Sequence, residues 1–287
     1  MHFKDLRELL KNSERLYAKE IAFKTKKKGI IEEITYAQFA SDVKNLGSYL
    51  LNLNMKNKRV AIISANRYEW CMSYFAVATS DLTVVPLDKS LPEAEFHSLI
   101  ERSQSDVIIY EEKYKEFIEN EKANENSSVI EYINMDSDLK DCLEKGAKLY
   151  GKKNAQYKKV KIENDKMRFM LFTSGTTSMS KCVMLCHKNI CSNVEQIADR
   201  LPIGIEDSLL SFLPIHHTFE CTTAFIYPIS QGASIAFCEG LRHIVPNLKE
   251  FKPTLMAGVP TLFESMYKKI WKNIKSYFYS IFCPVHK

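Results

Sequence analysis

Several features that define whole classes of protein are missing from this sequence of 287 residues. No uninterrupted apolar run reaches the roughly 20 residues of a membrane-spanning helix, and no signal peptide precedes the first charged segment. No basic stripe with interleaved aromatic residues occurs, because 40 Lys and Arg are mixed with 35 Asp and Glu, for a net charge of +5. We therefore expect a cytoplasmic protein with no transmembrane segment and no nucleic-acid partner, for which peripheral membrane contact stays open.

A recognisable zinc pattern is also lacking. The sequence has eight cysteines, and most of them lie inside apolar runs, which predicts reduced thiols in a core. Cys182, Cys186, His187 and Cys191 come nearest to a ligand set, but their spacing fits no usual zinc site. Cys182 and Cys186 would also lie on one face of a predicted strand, pointing into the core. We therefore expect no zinc site.

The sequence does contain a regular alternation of apolar strands and amphipathic helices. The hydrophobic share of 45% and charged share of 26% are those of a soluble globular protein. Such an alternation predicts a parallel sheet covered on both faces. The predicted strands are residues 59–63, 82–86, 106–110, 168–172, 182–186, 209–213, 234–237 and 254–257, and the predicted helices include 35–51, 66–78, 92–102, 111–119, 190–201, 218–229 and 261–274.

The domain organisation is predicted from where this alternation weakens. A first α/β subdomain is expected over about 20–135 and a second over 166–275. The polar, lysine-rich stretch 136–165 is interpreted as a linker that crosses the surface between them. Residues 276–287 form an aromatic tail that continues neither pattern.

One loop stands out for its chemistry. Residues 173–181 hold three threonines, three serines, one glycine and a final lysine, between two predicted strands. Small hydroxyl residues closed by a cation can surround phosphate oxygens with N–H groups, hydroxyls and one positive charge. A solvated turn is the simpler alternative, but it requires neither the hydroxyls nor the lysine. A nucleotide-binding loop of the phosphotransferase type is disfavoured, because Ser180 replaces its required glycine and Cys182 its metal-binding hydroxyl.

Four motifs, in order along the chain, resemble those of the adenylate-forming superfamily and, within it, the long-chain acyl-CoA synthetases. They are NRYEW at 66–70, TSGTT at 173–177 with Lys181, LPIHHTFE at 213–220 and GVPTLFE at 258–264. The resemblance covers roughly 21–274. It implies an α/β fold of two subdomains with mixed, largely parallel sheets covered by helices.

The resemblance also implies a reaction in two steps. The carboxylate of a fatty acid or another acid attacks the α-phosphate of ATP, with Mg²⁺ bound, and expels pyrophosphate. The thiol of coenzyme A then attacks the acyl-adenylate. Positioned donors and cations would stabilise the charge that develops on the leaving phosphates.

Site residues are implied by the same motifs. Lys181 would supply positive charge and take part in catalysis, together with His217 beside the α-phosphate and the acyl carboxylate. Phe219 would contact the acyl group, and Glu220 and Thr176 are candidate Mg²⁺ ligands. The residues expected to bind phosphate are Thr173, Ser174, Gly175, Thr176, Thr177 and Lys181.

Each of these roles has a simpler alternative. His216 or His217 could cap the helix that follows Pro214, and Glu220 could be an ordinary acid in the first helical turn. In the NRYEW motif, Asn66 is expected to cap a helix and Trp70 to lie in the core.

The sequence departs from the family pattern in two ways. Ser178, Ser180 and Cys182 stand where the family loop usually has glycine, proline and glycine, so the loop is expected to close less well on phosphate. The family motifs that bind adenine and ribose, and the mobile lid domain with its lysine, do not follow residue 274. We therefore expect an incomplete adenylate-forming large domain without its lid, inactive alone. A non-catalytic nucleotide-binding or interaction module is the alternative.

Overall fold

The computed structural model describes residues 2–27, 29–173 and 180–282. Its strands are β1 (Ile21–Lys27), β2 (Ile30–Thr35), β3 (Arg59–Ile63), β4 (Thr83–Pro86), β5 (Val107–Tyr110), β6 (Glu131–Asn134), β7 (Met167–Thr173), β8 (Lys181–Cys186), β9 (Ser208–Ser211) and β10 (Ser234–Phe237). Its helices are α1 (Leu6–Tyr17), α2 (Tyr36–Leu51), α3 (Tyr68–Ala78), α4 (Glu93–Ser103), α5 (Lys115–Lys122), α6 (Leu139–Tyr150), α7 (Gln156–Lys159), α8 (His187–Arg200), α9 (Thr218–Glu220), α10 (Tyr227–Gln231), α11 (Ile244–Phe251) and α12 (Pro260–Phe282). A π-helical segment (Cys221–Ile226) joins α9 to α10.

The strands form two mixed, largely parallel sheets. The larger sheet has the order β6-β5-β3-β4-β7-β8, and only its edge pair β7–β8 is antiparallel. The smaller sheet has the order β2-β1-β10-β9, and only β1–β2 is antiparallel. The predicted α/β fold is confirmed.

Strand pairing crosses the predicted subdomain boundary at 136–165. β7 and β8, from the predicted second subdomain, complete the larger sheet of the first. Conversely, β1 lies beside β10 in parallel, with Phe23 opposite Ile235. Parallel strands need crossover connections, so neighbours along the chain need not be neighbours in a sheet. Chain order therefore does not separate the two sheets, and the subdomain bounds stay a prediction.

The stretch interpreted as a linker contains two helices, α6 and α7, and its role as a linker stays a prediction. Within it, α6 buries Leu139, Cys142 and Gly146 and packs against α2. The helices approach so closely that a Cβ atom on Gly146 would lie 1.9 Å from the carbonyl oxygen of Asn45. The polarity of α6 reflects its exposed side.

Aromatic side chains fill the core between the sheets. Phe23 of β1 stacks on Phe237 of β10, with ring centres 5.8 Å apart, and meets Phe39 of α2 edge-on at 5.0 Å. Trp70 of α3 is fully buried, as predicted, and lies 6.2 Å from the ring of Phe225 in the π-helical segment. The core therefore joins elements of both sheets.

The start of α2 agrees with the predicted helix, whereas the strand predicted at 254–257 does not form in full. Thr35 caps α2, because its hydroxyl accepts a hydrogen bond from the N–H of Gln38. The Gln38 side chain donates to Asp42 at 2.8 Å. The strand predicted at 254–257 is reduced to a single bridge between Leu209 and Leu255. Among the described residues, no helix is long and apolar enough to cross a membrane.

Candidate functional site

The two ends of the candidate phosphate loop, residues 173–181, lie side by side. Thr173 at the end of β7 is directly opposite Lys181 at the start of β8, and both side chains are exposed. The Thr173 hydroxyl donates to the Lys181 carbonyl oxygen at 3.4 Å. The other predicted phosphate ligands, which are Ser174, Gly175, Thr176 and Thr177, lie outside the described residues.

The last part of this loop is held by α4. The hydroxyl of Ser180 donates to a carboxylate oxygen of Glu95 at 2.6 Å, and its carbonyl oxygen accepts a hydrogen bond from Arg102 at 2.5 Å. The Arg102 guanidinium also lies over the ring of Phe172, 5.4 Å from its centre. Serine at this position thus makes a contact that the proline usual in the resembling family could not make.

A cavity of about 240 Å³ opens between α8, the β7–β8 hairpin and the end of β4. Leu171 and Leu185 line it from the hairpin. Side chains alternate along strands, so Thr173 and Lys181 point to the same side of the hairpin as these two leucines. The other lining residues are Tyr74, Pro86, Asn189, Ile190, Asn193, His216, Thr218, Cys221 and Thr222. The walls are mainly apolar, with polar groups from α8 and from the segment that follows β9.

His216 places an unpaired ring nitrogen at this cavity. Its side chain is only 7% exposed, and Nε2 has no hydrogen-bond partner among the described residues. The nearest acidic atom is Oδ2 of Asp88, 3.6 Å away. Burial, aided by His217 and Lys89, lowers the pKa of His216 to about 4 against the opposing effect of Asp88. The imidazole is therefore neutral near pH 7.

The two residues favoured by the motif have a different environment. His217 is exposed, with its ring centre 4.2 Å from that of His216, and Phe219 is 49% exposed. The structure thus brings His216, and neither of these, into the cavity wall. His217 occupies the position before α9, but its side chain makes no capping hydrogen bond. The binding roles of His217 and Phe219 stay predictions.

Glu220 is buried beneath the loop that joins β9 to α9. It is 1% exposed, and Oε1 accepts hydrogen bonds from the Ser211 hydroxyl at 2.7 Å and the Phe212 N–H at 3.2 Å. Oε2 is buried with no partner among the described residues. Burial raises the pKa of Glu220 to about 7, and the two hydrogen bonds oppose that shift.

This environment bears on the predicted metal site. In the part of the chain that the structure describes, no group of three or more His, Cys, Asp or Glu residues could hold a metal ion. Glu220 alone offers one free carboxylate oxygen, whereas Mg²⁺ requires an octahedral set of oxygen ligands. Thr176 lies outside the described residues. The roles of both residues in Mg²⁺ binding stay predictions.

Asn66 is a site residue that the motif did not reveal. It was expected to cap α3, but Arg67 occupies that position without a side-chain cap. The Asn66 amide instead donates to the Ser211 hydroxyl at 2.9 Å and the Leu213 carbonyl oxygen at 2.6 Å, and its oxygen accepts the Ile215 N–H at 3.2 Å. It therefore fixes the loop before His216. Its position just after β3 was the available signal, since ligand sites collect at the carboxyl ends of parallel strands.

Comparison with known proteins gives a family match. Residues 11–279 match the model of the AMP-binding enzyme family. Long-chain-fatty-acid–CoA ligase 5 of Mus musculus is 30% identical over 265 residues, covering 85% of this chain and 38% of its own length. Fatty acyl-CoA synthetase A of Dictyostelium discoideum is 28% identical over 264 residues, covering 87% of this chain and 39% of its own length. The chain therefore spans well under half the length of these curated relatives.

Solved structures show the same fold. The N-terminal domain of FACL13 from Mycobacterium tuberculosis superposes with a TM-score of 0.79 and 22% identity, over 92% of this chain and 65% of that one. ATP-bound MatB from Rhodopseudomonas palustris superposes with a TM-score of 0.73 and 22% identity, over 89% and 50%. Because the family match covers almost the whole sequence, the chain belongs to the AMP-binding enzyme family.

Proposed function

We propose that this chain contributes the acyl- and ATP-binding half of a fatty-acid-activating site, in the reaction that leads through an acyl-adenylate to acyl-CoA. The observation that supports this most directly is the apolar cavity beside the β7–β8 hairpin. Its walls suit an alkyl chain, Thr173 and Lys181 point to the same side of the β7–β8 hairpin as its two leucines, and neutral His216 lies in its wall. The names of the two sequence relatives support a fatty acid as the substrate.

The alkyl chain of the fatty acid would contact the apolar walls of the cavity. Each methylene transferred from water to Leu171, Leu185 and Ile190 would contribute about 0.8 kcal/mol. His216, being neutral, can donate a hydrogen bond to a carboxylate or carbonyl oxygen from its unpaired Nε2. Such a donor stabilises developing charge best where water is excluded.

The adenylation step would use Lys181. The carboxylate oxygen forms a bond to the α-phosphorus, and the bond to the bridging oxygen of pyrophosphate breaks. Lys181 and the hydroxyl of Thr173 face the same side of the hairpin as the cavity and would bind the phosphate oxygens on which charge accumulates. Bound Mg²⁺ would screen the charge of the phosphates. The thiol of coenzyme A would then lose its proton and attack the adenylate carbonyl, forming the thioester as the bond between the carbonyl carbon and the phosphate oxygen breaks and AMP leaves.

The proposed role of Lys181 in ATP binding is tested by measuring the affinity for ATP. We expect Lys181→Ala to weaken the binding of ATP about 10- to 100-fold, because a hydrogen bond to a charged group contributes about 1.5–3 kcal/mol. Isothermal titration calorimetry with ATP, and with a sulfamate analogue of the acyl-adenylate, measures the change. Lys188→Ala is the matched control, since Lys188 is exposed nearby and pairs with Asp165 at 3.5 Å. Equal affinity of Lys181→Ala and the unmodified protein contradicts the assignment.

A non-catalytic nucleotide-binding module is the second candidate. The contacts of Ser180 with Glu95 and Arg102 favour this candidate. They fix the end of the loop to α4, whereas the reaction would require the loop to close on phosphate. Trapping of acyl-adenylate with hydroxylamine, in the presence of ATP, Mg²⁺ and palmitate, separates the two. Formation of palmitoyl hydroxamate supports the activating site. Nucleotide binding without hydroxamate supports the module.

A further inference from the structure

Helix α4 packs on the face of the β7–β8 hairpin that is turned away from the cavity. Side chains alternate along the two strands, so Phe172 and Cys182, which are directly opposite each other, point to the other side from Thr173 and Lys181. Phe172 and Cys182 pack against the core cluster that contains the apolar side of α4. The helix therefore contacts one face of the hairpin, and the candidate phosphate ligands project from the other.

Two charged residues of α4 reach the last residue of the candidate phosphate loop. Glu95 and Arg102 lie about two helical turns apart, so they project from the same side of the helix. A carboxylate oxygen of Glu95 accepts the hydroxyl of Ser180 at 2.6 Å, and Arg102 donates to the Ser180 carbonyl oxygen at 2.5 Å. Ser180 is thus bound through both its side chain and its backbone, directly before Lys181.

Arg102 joins the two strands at the loop end of the hairpin. Its guanidinium lies 5.4 Å from the centre of the Phe172 ring on β7 while it binds Ser180 at the start of β8. A planar guanidinium can stack on a ring and donate hydrogen bonds from its edge at the same time. Burial raises the pKa of the Cys182 thiol on β8, and the nearby Arg102 opposes that shift. Arg102 therefore restrains the ends of both strands that carry the candidate ligands.

We propose that Glu95 and Arg102 are positioning residues for Lys181. By binding Ser180, they fix the direction in which the Lys181 side chain leaves the hairpin. A long, flexible side chain binds phosphate more tightly when the backbone that carries it is already ordered, because less freedom is lost on binding. The proposal rests on the phosphate-binding role of Lys181 in the proposed function, and it applies to both candidates given there, since both bind nucleotide.

A double-mutant cycle with Lys181 tests the coupling. We expect Glu95→Ala/Arg102→Ala, which leaves the net charge unchanged, to weaken ATP binding about 2- to 10-fold in isothermal titration calorimetry, because binding must then also order the lysine side chain. In a Lys181→Ala background, the same pair of substitutions should leave the affinity for ATP unchanged. Equal weakening in both backgrounds would overturn the proposal, since the effect would then not act through Lys181.

Conservative variants separate the hydrogen bonds from the charges. Glu95→Gln keeps an oxygen that can accept the Ser180 hydroxyl, so its affinity for ATP should stay that of the unmodified protein. Glu101→Gln is the matched control, because it makes the same change of charge at an exposed acid of the same helix. Ser180→Ala should weaken ATP binding no further in a Glu95→Ala background, because both substitutions remove the same hydrogen bond.

Hydrogen exchange tests the same contacts without nucleotide. In Glu95→Ala/Arg102→Ala, peptides that contain residues 180–186 should lose protection, while peptides from β3 and β5 should keep theirs and so show that the variant is folded. If the unmodified protein binds no ATP, the role of Lys181 in the proposed function fails, but a loss of protection at 180–186 still supports the restraint by α4. Unchanged protection at 180–186 would overturn the proposal, whatever the affinity for ATP.

Discussion

At the scale of single residues, the most unusual ionisable group in the site is the carboxyl group of Glu220. It accepts hydrogen bonds from Ser211 and Phe212, but among the described residues it has no salt-bridge partner, and its second oxygen is buried without a hydrogen-bond partner there. Desolvation is the largest cause of its raised pKa. Between pH 4.5 and pH 7, the carboxyl group is therefore protonated in the folded state and ionised in the unfolded chain.

This proton predicts how stability depends on pH. The pKa of Glu220 is about 7 in the folded state, against an ordinary value of 4.5. The contribution of Glu220 to the free energy of unfolding is therefore fully present below pH 4.5 and is lost as pH rises through 7. Glu220→Gln keeps an uncharged group that can still accept from Ser211 and Phe212. We expect the free energy of unfolding of this variant, relative to that of the unmodified protein, to increase by up to about 3 kcal/mol when the pH is raised from about 5 to about 8. Urea unfolding at both pH values measures the difference.

A matched control identifies the source of the effect. Glu206 is an exposed carboxylate, and Glu206→Gln should leave the pH dependence of unfolding unchanged. The same pH dependence in Glu220→Gln and the unmodified protein would show that the buried carboxyl group is not protonated in the folded state.

The histidine pair shows why site residues were only partly predictable. The sequence placed Thr173 and Lys181 in a loop between two predicted strands, whereas the structure has them as the last residue of β7 and the first residue of β8. His216 and His217 follow a turn in which the His217 N–H bonds to the carbonyl oxygen of Pro214. In such a turn neither the period of a strand nor that of a helix applies, so the pattern does not reveal which histidine faces inward.

At the scale of elements, α2 and α6 approach each other closely at a glycine, Gly146. A side chain at residue 146 would overlap the backbone of Asn45, so the helices would have to separate. We expect Gly146→Ala to destabilise the protein by about 3 kcal/mol, despite the higher helix propensity of alanine. Chemical denaturation measures the loss.

The end of the same helix supplies the control. At Gly151 the nearest atom to an added Cβ is 3.4 Å away, so Gly151→Ala should change stability by less than about 1 kcal/mol. Similar stability of both variants would contradict the close packing of α6 on α2.

Elements were predictable where their pattern was strong. The strands at 59–63 and 234–237 were located correctly because they are short apolar runs between breakers. The helix α6 was missed because its buried face includes a glycine and a cysteine, which weaken the apolar pattern that identifies an amphipathic helix. A strand was predicted at 254–257, where the structure has a single bridge at Leu255. An apolar run alone does not show whether a partner strand is available.

At the scale of the whole molecule, the pairing of β1 with β10 makes the two sheets interdependent. Their shared aromatic core includes Phe23 from the smaller sheet and Trp70 from α3, which packs on the larger one. We expect a single cooperative unfolding transition, not the two that separate subdomains at 20–135 and 166–275 would give.

Two probes test this expectation. In a Trp271→Phe background, fluorescence reports Trp70 in the core, while far-ultraviolet circular dichroism reports all helices and strands. The urea midpoints from the two probes should coincide. Separate midpoints would indicate that the subdomains unfold independently.

The same β1–β10 pair has a consequence for synthesis of the chain. About two hundred residues separate Phe23 from its sheet neighbour Ile235. At the usual speed of translation, roughly 5–20 residues per second, β1 must wait on the order of 10–40 s for this partner. Meanwhile the hairpin of β1 and β2 has left the ribosome with one edge open. We infer that a chaperone binding near the N-terminus would improve the yield of folded protein more than one acting after release.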